Sequence, residues 1–276
     1  MRLVALGDVM VDVVCAELPA AGRRVHADVA VRAGGSAVNA ARSAVEHGAA
    51  AVVVGRVGSD SAGEMLRQTL LAEGIEAHLA RDEKLPTGAA VALGGGDAAA
   101  IVANRGANAR LSEGDLPDPL VGEALLVSGF ALFQHGSSEA ARAALSRFTG
   151  EWAAVDLASP RLAAGADLTA GVAGANVIFA TAEEAKAVTG DEPDEAVRRL
   201  AADFAVACVK LGPRGAVAAQ GDRVERAAAP PVAERWPFGA GDAFAAAFLV
   251  ALGSGGSLPE ALERGCQAGA RESRRL

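Results

Sequence analysis

The chain has no tyrosine, and among its 276 residues only two are tryptophan and eight phenylalanine. Stacking on aromatic rings is the simplest way to hold a flat base, and neither Asp12–Arg32 nor Leu85–Ala103 contains a tyrosine, tryptophan or phenylalanine. Lysine occurs only at Lys84, Lys186 and Lys210, so arginine carries nearly all the positive charge. Acidic residues outnumber basic ones, 34 to 26, for a net charge of −8 and a pI near 5.1. That balance excludes a general nucleic-acid or anionic-membrane binder. The cysteines Cys15, Cys208 and Cys266 are odd in number and far apart. They exclude a disulfide framework, and without a CxxC pair a zinc site has no support. They are expected as buried small side chains in a reducing cytoplasm. The charge-free apolar stretch Ala243–Leu252 is too short to span about 30 Å of hydrocarbon. The N-terminus enters an apolar run at Leu3 and soon meets Asp8 and Asp12, with no basic region ahead of it, so a secretory signal is not expected. No GxxxxGK[ST], HExxH or GxSxG occurs, which excludes a P-loop kinase, a zincin and a serine hydrolase of those types. The histidines at 26, 47, 78 and 135 are scattered and read as solvated or structural.

What is present is apolar material: 51% hydrophobic against 22% charged, enough for a large core. Short β-branched runs alternate with Ala/Leu/Arg helical patterns. Strands are predicted at Leu3–Leu6, Ala51–Val54, Ala124–Val127, Ala153–Val155, Val177–Phe179 and Ala205–Lys210. Helices are predicted at Ala37–His47, Gly63–Glu73, Ser138–Phe148, Ala182–Thr189 and Glu195–Asp203. This alternation predicts a parallel sheet covered by helices on both faces, and the unbroken apolar character of the strands agrees. Two stretches, Asp12–Arg32 and Leu85–Ala103, are punctuated by Gly and Pro and carry short alternating pieces. They are predicted to leave the main sheet as antiparallel strands forming a small flap.

Two glycine-rich segments carry chemistry. In the first, Gly239-Ala240-Gly241-Asp242 runs straight into an apolar helix. Glycine admits conformations closed to other residues and lets a ligand approach the backbone. The free N–H groups and the dipole of a helix start make an anion site. A carboxylate beside such a site is what phosphoryl transfer needs, to orient or deprotonate the attacking hydroxyl. A plain glycine turn with an Asp in the first helical turn is the other reading. In the second segment, Gly34-Gly35-Ser36 precedes a helix with Asn39 about one turn in, suited to a polyol, or serving only as part of a Ser-capped helix. Val53–Gly63 follows as a strand, a turn and a capped helix.

Taken together, the segments resemble the ribokinase-like (PfkB) carbohydrate kinase family. Gly34-Gly35 to Gly63 is similar to its N-terminal signature, and Gly239-Ala240-Gly241-Asp242 to its C-terminal one. Gly7-Asp8 and Asp12, Pro86-Thr87-Gly88, Arg105-Gly106-Ala107-Asn108, Asp156 with Arg161 (DxNxR), Glu183-Glu184 with Gly190 (NxxE…G), and Lys210-Leu211-Gly212 with Gly215 (TLGxxG) echo further motifs in order, over nearly the whole chain.

The resemblance implies a three-layer α/β/α core of roughly nine mostly parallel strands with a small β lid, as a single kinase domain over residues 1–276. It also implies ATP and Mg²⁺, a small-molecule sugar or polyol as partner, and a homodimer through the lid. Asp242 would be the catalytic base and Gly239, Ala240 and Gly241 the anion hole. Asp12, Gly34, Gly35 and Asn39 would hold the substrate. Glu184, Lys210, Gly212 and Gly215 would lie at the nucleotide, with Glu184 reaching Mg²⁺ through water.

The sequence departs from the family at four places. Its DTTGAGD reads Trp236-Pro237-Phe238-Gly239-Ala240-Gly241-Asp242 here, which removes oxygen ligands near a monovalent-cation site. The Asn of NxxE is Thr181, and the Asn of DxNxR is Ala158. The loop Thr is Lys210, a cation that could meet phosphate. The expected function is ATP-dependent phosphorylation of a sugar hydroxyl. A nucleoside kinase of the same fold, or a catalytically weak ligand-binding homologue, stays open.

Overall fold

The structure is a computed structural model and describes residues 1–17, 22, 24–94, 99–164, 168, 171–232, 236 and 238–274. Thirteen strands are β1 (Arg2–Leu6), β2 (Met10–Cys15), β3 (Val29–Gly34), β4 (Ala50–Gly58), β5 (Glu76–Asp82), β6 (Gly88–Leu93), β7 (Ala100–Asn104), β8 (Ala124–Ser128), β9 (Trp152–Asp156), β10 (Val177–Thr181), β11 (Val206–Lys210), β12 (Ala216–Gln220) and β13 (Arg223–Ala227). The helices are α1 (Ser36–Glu46), α2 (Ser61–Ala72), α3 (Gly129–Leu132), α4 (Ser138–Arg147), α5 (Pro160–Ala163), α6 (Ala182–Thr189), α7 (Pro193–Leu200), α8 (Ala240–Gly253) and α9 (Leu258–Glu272).

Nine strands form the main sheet in the order β13-β12-β11-β10-β9-β8-β1-β4-β5. From β5 to β11 every neighbour is parallel; β12 alone runs the other way, antiparallel to both β11 and β13. Helices cover both faces, so the central strands are apolar on both sides; β8 is buried along its whole length. One face packs on α1, α2, α8 and α9, the other on α4, α6 and α7. This is the α/β architecture expected from the alternation of strands and helices.

α8 is buried continuously from Ala243 to Leu252, because the sheet, α1 and α9 enclose it. Its alanines let the neighbouring helices approach closely. Gly265 of α9 faces the Phe244 ring, where a Cβ would lie only 2.9 Å from the ring carbons.

The lid is a separate sheet in the order β3-β2-β6-β7. β2 pairs antiparallel with β3 and β6 antiparallel with β7, but β2 and β6 are parallel. The purely antiparallel flap predicted from sequence is corrected here. β2 follows the core strand β1 and β6 follows the core strand β5, which runs parallel to it through β4, so both leave the core in one direction. The lid strands also reach beyond the predicted 12–32 and 85–103, to Met10, Gly34 and Asn104.

Six elements escaped the sequence reading, two of them the short helices α3 and α5. β5 is an edge strand with polar residues and mixed burial, and β13 is likewise mixed. β12 is short and alanine-rich. α9 opens with a Ser257–Glu260 capping box that marks its start in retrospect.

Candidate active site

α1 and α8 begin side by side, and each is preceded by a glycine in the left-handed region: Gly35 at φ +92° and Gly239 at φ +84°. Only glycine takes these angles without strain. Space is restricted as well. A Cβ on Gly35 would strike the Asp8 carbonyl, and one on Gly239 would lie 3.2 Å from Asn39 Nδ2. The α1–α8 packing joins the two segments singled out by sequence. Asn39 Nδ2 donates to Asp242 Oδ2 at 3.0 Å, across 203 residues, and one turn further Ser43 Oγ donates to the Ala243 carbonyl at 2.8 Å.

Ala243 N–H already bonds the Gly239 carbonyl at 2.9 Å, so the N–H groups of the preceding turn form the open end of α8. Asp242 sits in that turn. Surrounding protein strips it of water and pushes its carboxyl up to about 7; the Asn39 hydrogen bond and Lys210 pull the other way, and Asp156 and Asp12 add to the rise.

The C-terminal ends of three neighbouring strands face this turn, the usual place for a site in an open parallel sheet. Asp156 ends β9, Thr181 ends β10 and Lys210 ends β11, with Thr181 in register with Lys210. Lys210 Nζ donates to both Asp156 oxygens, at 2.8 and 2.6 Å. A void of about 10 Å³, walled in part by Ser36, Ser128, Asp156 and Asp242, separates the two carboxylates.

Glu184 is buried and completes a capping box at the start of α6. Thr181 N–H donates to Glu184 Oε2 at 2.8 Å, and Glu184 N–H donates to Thr181 Oγ1 at 3.2 Å. Burial, reinforced by Asp156, raises its carboxyl despite Lys210. Thr181 in place of the family's Asn is thus the helix cap.

Beside these groups opens a cleft of about 770 Å³. Lys210, Gly212, Gly215, Ala240 and Gly241 line its polar end, and Ala229, Pro230, Val232 and Phe244 line apolar walls. Glu183, rather than Glu184, stands on its lining.

On the other side of Asp242 is the lid. Asp12 lies on β2 opposite Arg32 of β3. Burial raises its carboxyl to about 6, with Arg32 and Arg42 pulling it down. A Cβ on Gly34 would fall on the Asp12 carboxylate, so this glycine makes room for that acid. Pro237 lies outside the described residues. Trp236, 2% exposed, packs against Val14 and Ala92 of the lid and meets Phe238 edge to face at 5.2 Å. The lid strands lack aromatics of their own, but this pair supplies rings at their inner face.

Two members of this region were not singled out from sequence as site residues. Asp156 was visible only as part of a motif echo, and its pairing with Lys210 depends on strands 54 residues apart. Arg105 forks onto Asp8 at 2.7–3.0 Å, donates to Ser137 Oγ at 3.1 Å, and leaves Nη1 buried without a partner. No sequence pattern showed that fork.

An anion-cradling helix start, a carboxylate beside it and a deep cleft at the carboxyl edge of a parallel sheet define a phosphotransferase. The profile of the pfkB family carbohydrate kinases matches residues 1–271, and the chain belongs to that family. Comparison with curated proteins gives no match. Among solved structures the chain is similar to adenosine kinase from Sinorhizobium meliloti (24% identity, TM-score 0.86, covering 100% of this chain and 94% of that one). It is similar to a PfkB protein from Polaromonas sp. JS666 (25%, TM-score 0.80, 100% and 96%). It is also similar to a protein described as a ribokinase II from E. coli, in complex with ATP and Mg²⁺ (17%, TM-score 0.86, 100% and 93%). As a member of that family the chain is an ATP-dependent kinase acting on a hydroxyl of a sugar or sugar-like small molecule; ATP and Mg²⁺ are the groups bound in the E. coli structure. No helix among the described residues is long and apolar enough to cross a membrane.

The residues fit both groups. Gly239 and Gly241 leave a cradle that side chains would fill, and the adjoining cleft is large. Asp156, Glu184 and Asp242 surround a single ammonium, an excess of negative charge suited to a hard cation. Among the described residues no three His, Cys, Asp or Glu side chains are grouped to bind a metal alone.

Proposed function

We propose that this kinase phosphorylates a primary hydroxyl of a free sugar or sugar-like polyol, with Asp242 as general base. The Asn39–Asp242 hydrogen bond carries the reading, because it sets the carboxylate between the two glycine-led helix starts. Asp12, Gly34, Gly35 and Asn39 bind the acceptor: the two polar side chains suit vicinal hydroxyls, and the glycines let the acceptor reach the backbone. Asp242 takes the proton of the attacking hydroxyl. The N–H groups at the start of α8, led in by Gly239, Ala240 and Gly241, stabilise the charge that builds on the moving phosphoryl group. Gly212 and Gly215 hold the nucleotide in the cleft, and Glu184 acts on the metal side through water. Mg²⁺, when bound, neutralises charge on the phosphates.

Support for a sugar over a nucleoside comes from the ring inventory. Holding a flat base favours an aromatic surface. Trp236 is buried against the lid, which leaves half-buried Phe238 and, just past the end of β8, Phe130, 36% exposed. The adenosine kinase similarity, at 24% identity, speaks to fold. The deciding experiment is kcat/KM with ATP on a panel of ketoses, pentoses, deoxy-keto acids and nucleosides. A sugar is expected to lead. A nucleoside ahead of every sugar by about tenfold or more overturns the choice and points to Phe238 as its surface.

We further propose that residues 1–276 work as one kinase domain and pair as a homodimer through the lid. Val31, Val13, Val91 and Val102 stand in register across all four lid strands, and three of them are 59%, 42% and 76% exposed. The three free, buried thiols support a reducing cytoplasm as the setting.

A further inference from the structure

Among the described residues lining the cleft, Lys210 is the one cation. Its side chain is 10% exposed and held by both oxygens of Asp156. It reaches past β10 to do so, since β10 lies between β9 and β11. Its ammonium also stands at the start of α8: a Cβ on Gly241 would lie 3.2 Å from Nζ. A cation at that end opposes the helix dipole. An anion seated between the two relieves the opposition, since both N–H groups and ammonium then point at it. Burial works against the lysine's charge, but Asp156, Glu184 and Asp242 outweigh it and hold the ammonium protonated.

We propose that Lys210 is a catalytic residue whose ammonium contacts the phosphoryl group in transit, together with the N–H groups at the start of α8, and that Asp156 is the positioning residue that aims it. This rests on the kinase reading of the same site. Lys210 keeps its proton throughout. The acceptor oxygen forms the new P–O bond, its proton passes to Asp242, and the β,γ-bridging oxygen leaves on ADP with the electron pair of the broken bond. The competing role for Lys210 is a counter-ion for Asp156 and nothing more.

Breaking a buried ion pair from one side destabilises a fold, whereas replacing both partners need not. The test therefore compares wild type, Lys210→Met and the double variant Lys210→Met/Asp156→Asn. Calorimetry measures affinity for Mg-ADP and for Mg-AMP-PCP, which adds a γ-phosphate analogue that cannot transfer. The double variant is expected to melt near wild type and to bind ADP within about twofold. It should bind AMP-PCP about tenfold or more weakly, and turnover should fall about 100-fold. Turnover and AMP-PCP affinity restored to wild type in the double variant would reduce Lys210 to a counter-ion and overturn the proposal.

A second readout needs no destabilising variant. With only three lysines in the chain, ¹³Cε-lysine NMR gives three signals, assigned with the exposed-site variants Lys84→Arg and Lys186→Arg. The Lys210 signal is expected to move with Mg-AMP-PCP and much less with Mg-ADP. Equal movement, or none, overturns the proposal. A wild type that binds nucleotide but phosphorylates no acceptor fails the kinase reading, while the γ-phosphate dependence still decides Lys210.

Discussion

As the proposed general base, Asp242 meets two opposed requirements. It must be buried enough to face the acceptor hydroxyl without competing water, and ionised enough to accept a proton. Its carboxyl, pushed up to about 7, sits where both hold near neutrality. Asp242→Asn is expected to lower turnover by about 10²–10⁴-fold while nucleotide affinity survives; turnover within a few-fold of wild type would remove Asp242 as the base. In the wild type, kcat/KM should rise with pH through about 7, as the base ionises. Stability should move the opposite way. The folded state holds this proton more tightly than an unfolded Asp at 3.8, so the contribution to stability declines as pH rises from 3.8 to about 7 and stays lost above. Asp242→Asn removes that decline. Its melting temperature should gain on wild type between pH 5 and pH 8, and a gap that shrinks instead would contradict the assigned shift. Gly34 makes a second residue-scale test. Gly34→Ala places a methyl on the Asp12 carboxylate, so the acceptor KM should rise about tenfold or more with the ATP KM little changed. A rise in both would place Gly34 elsewhere in the mechanism.

At the scale of elements, the loop before α8 and the lid behave as one unit. Trp236 packs against the cross-strand pair Val14 and Ala92, so the lid rests on the residue that occupies the family's cation-ligand position. Apolar side chains cannot replace the water around a cation. Rates in Na⁺, K⁺ and a bulky organic cation are therefore expected to agree within about twofold, and a tenfold gain in K⁺ alone would show backbone carbonyls serving as ligands. The outer face of the lid is a different matter. Its valine row is exposed apolar surface of the kind that marks an association site. Val31→Glu with Val102→Glu should convert a dimer to monomers in sedimentation velocity and leave the melting of each subunit nearly unchanged, because both side chains are exposed. A wild type that sediments as a monomer would dismiss the lid interface.

At the scale of the whole molecule, most of the architecture was legible because parallel strands buried on both faces are written as short unbroken apolar runs, and helices between them as longer periodic ones. Positions such as Ala182–Thr189 coincide with the observed helix. Gly35 and Gly239 were legible as the turns leading into two helices because their backbone angles admit little else. Of the elements that escaped, β5, β13 and α9 have burial decided by neighbours far along the chain rather than by their own pattern. The parallel pairing of β2 with β6 has the same origin: direction in a sheet follows from where each strand leaves the core, and short alternating segments carry no record of it. The residue chemistry was local and the sequence alone determined it: a carboxylate after Gly-Ala-Gly, an amide one turn into a glycine-led helix, a lysine at the end of an apolar strand. Which of these groups meet was left to tertiary packing. Asn39 reaches Asp242 because α1 lies on α8, and Lys210 reaches Asp156 because β9 and β11 flank β10. Distances between atoms hundreds of residues apart depend on every packed layer between them, and no local pattern encodes that.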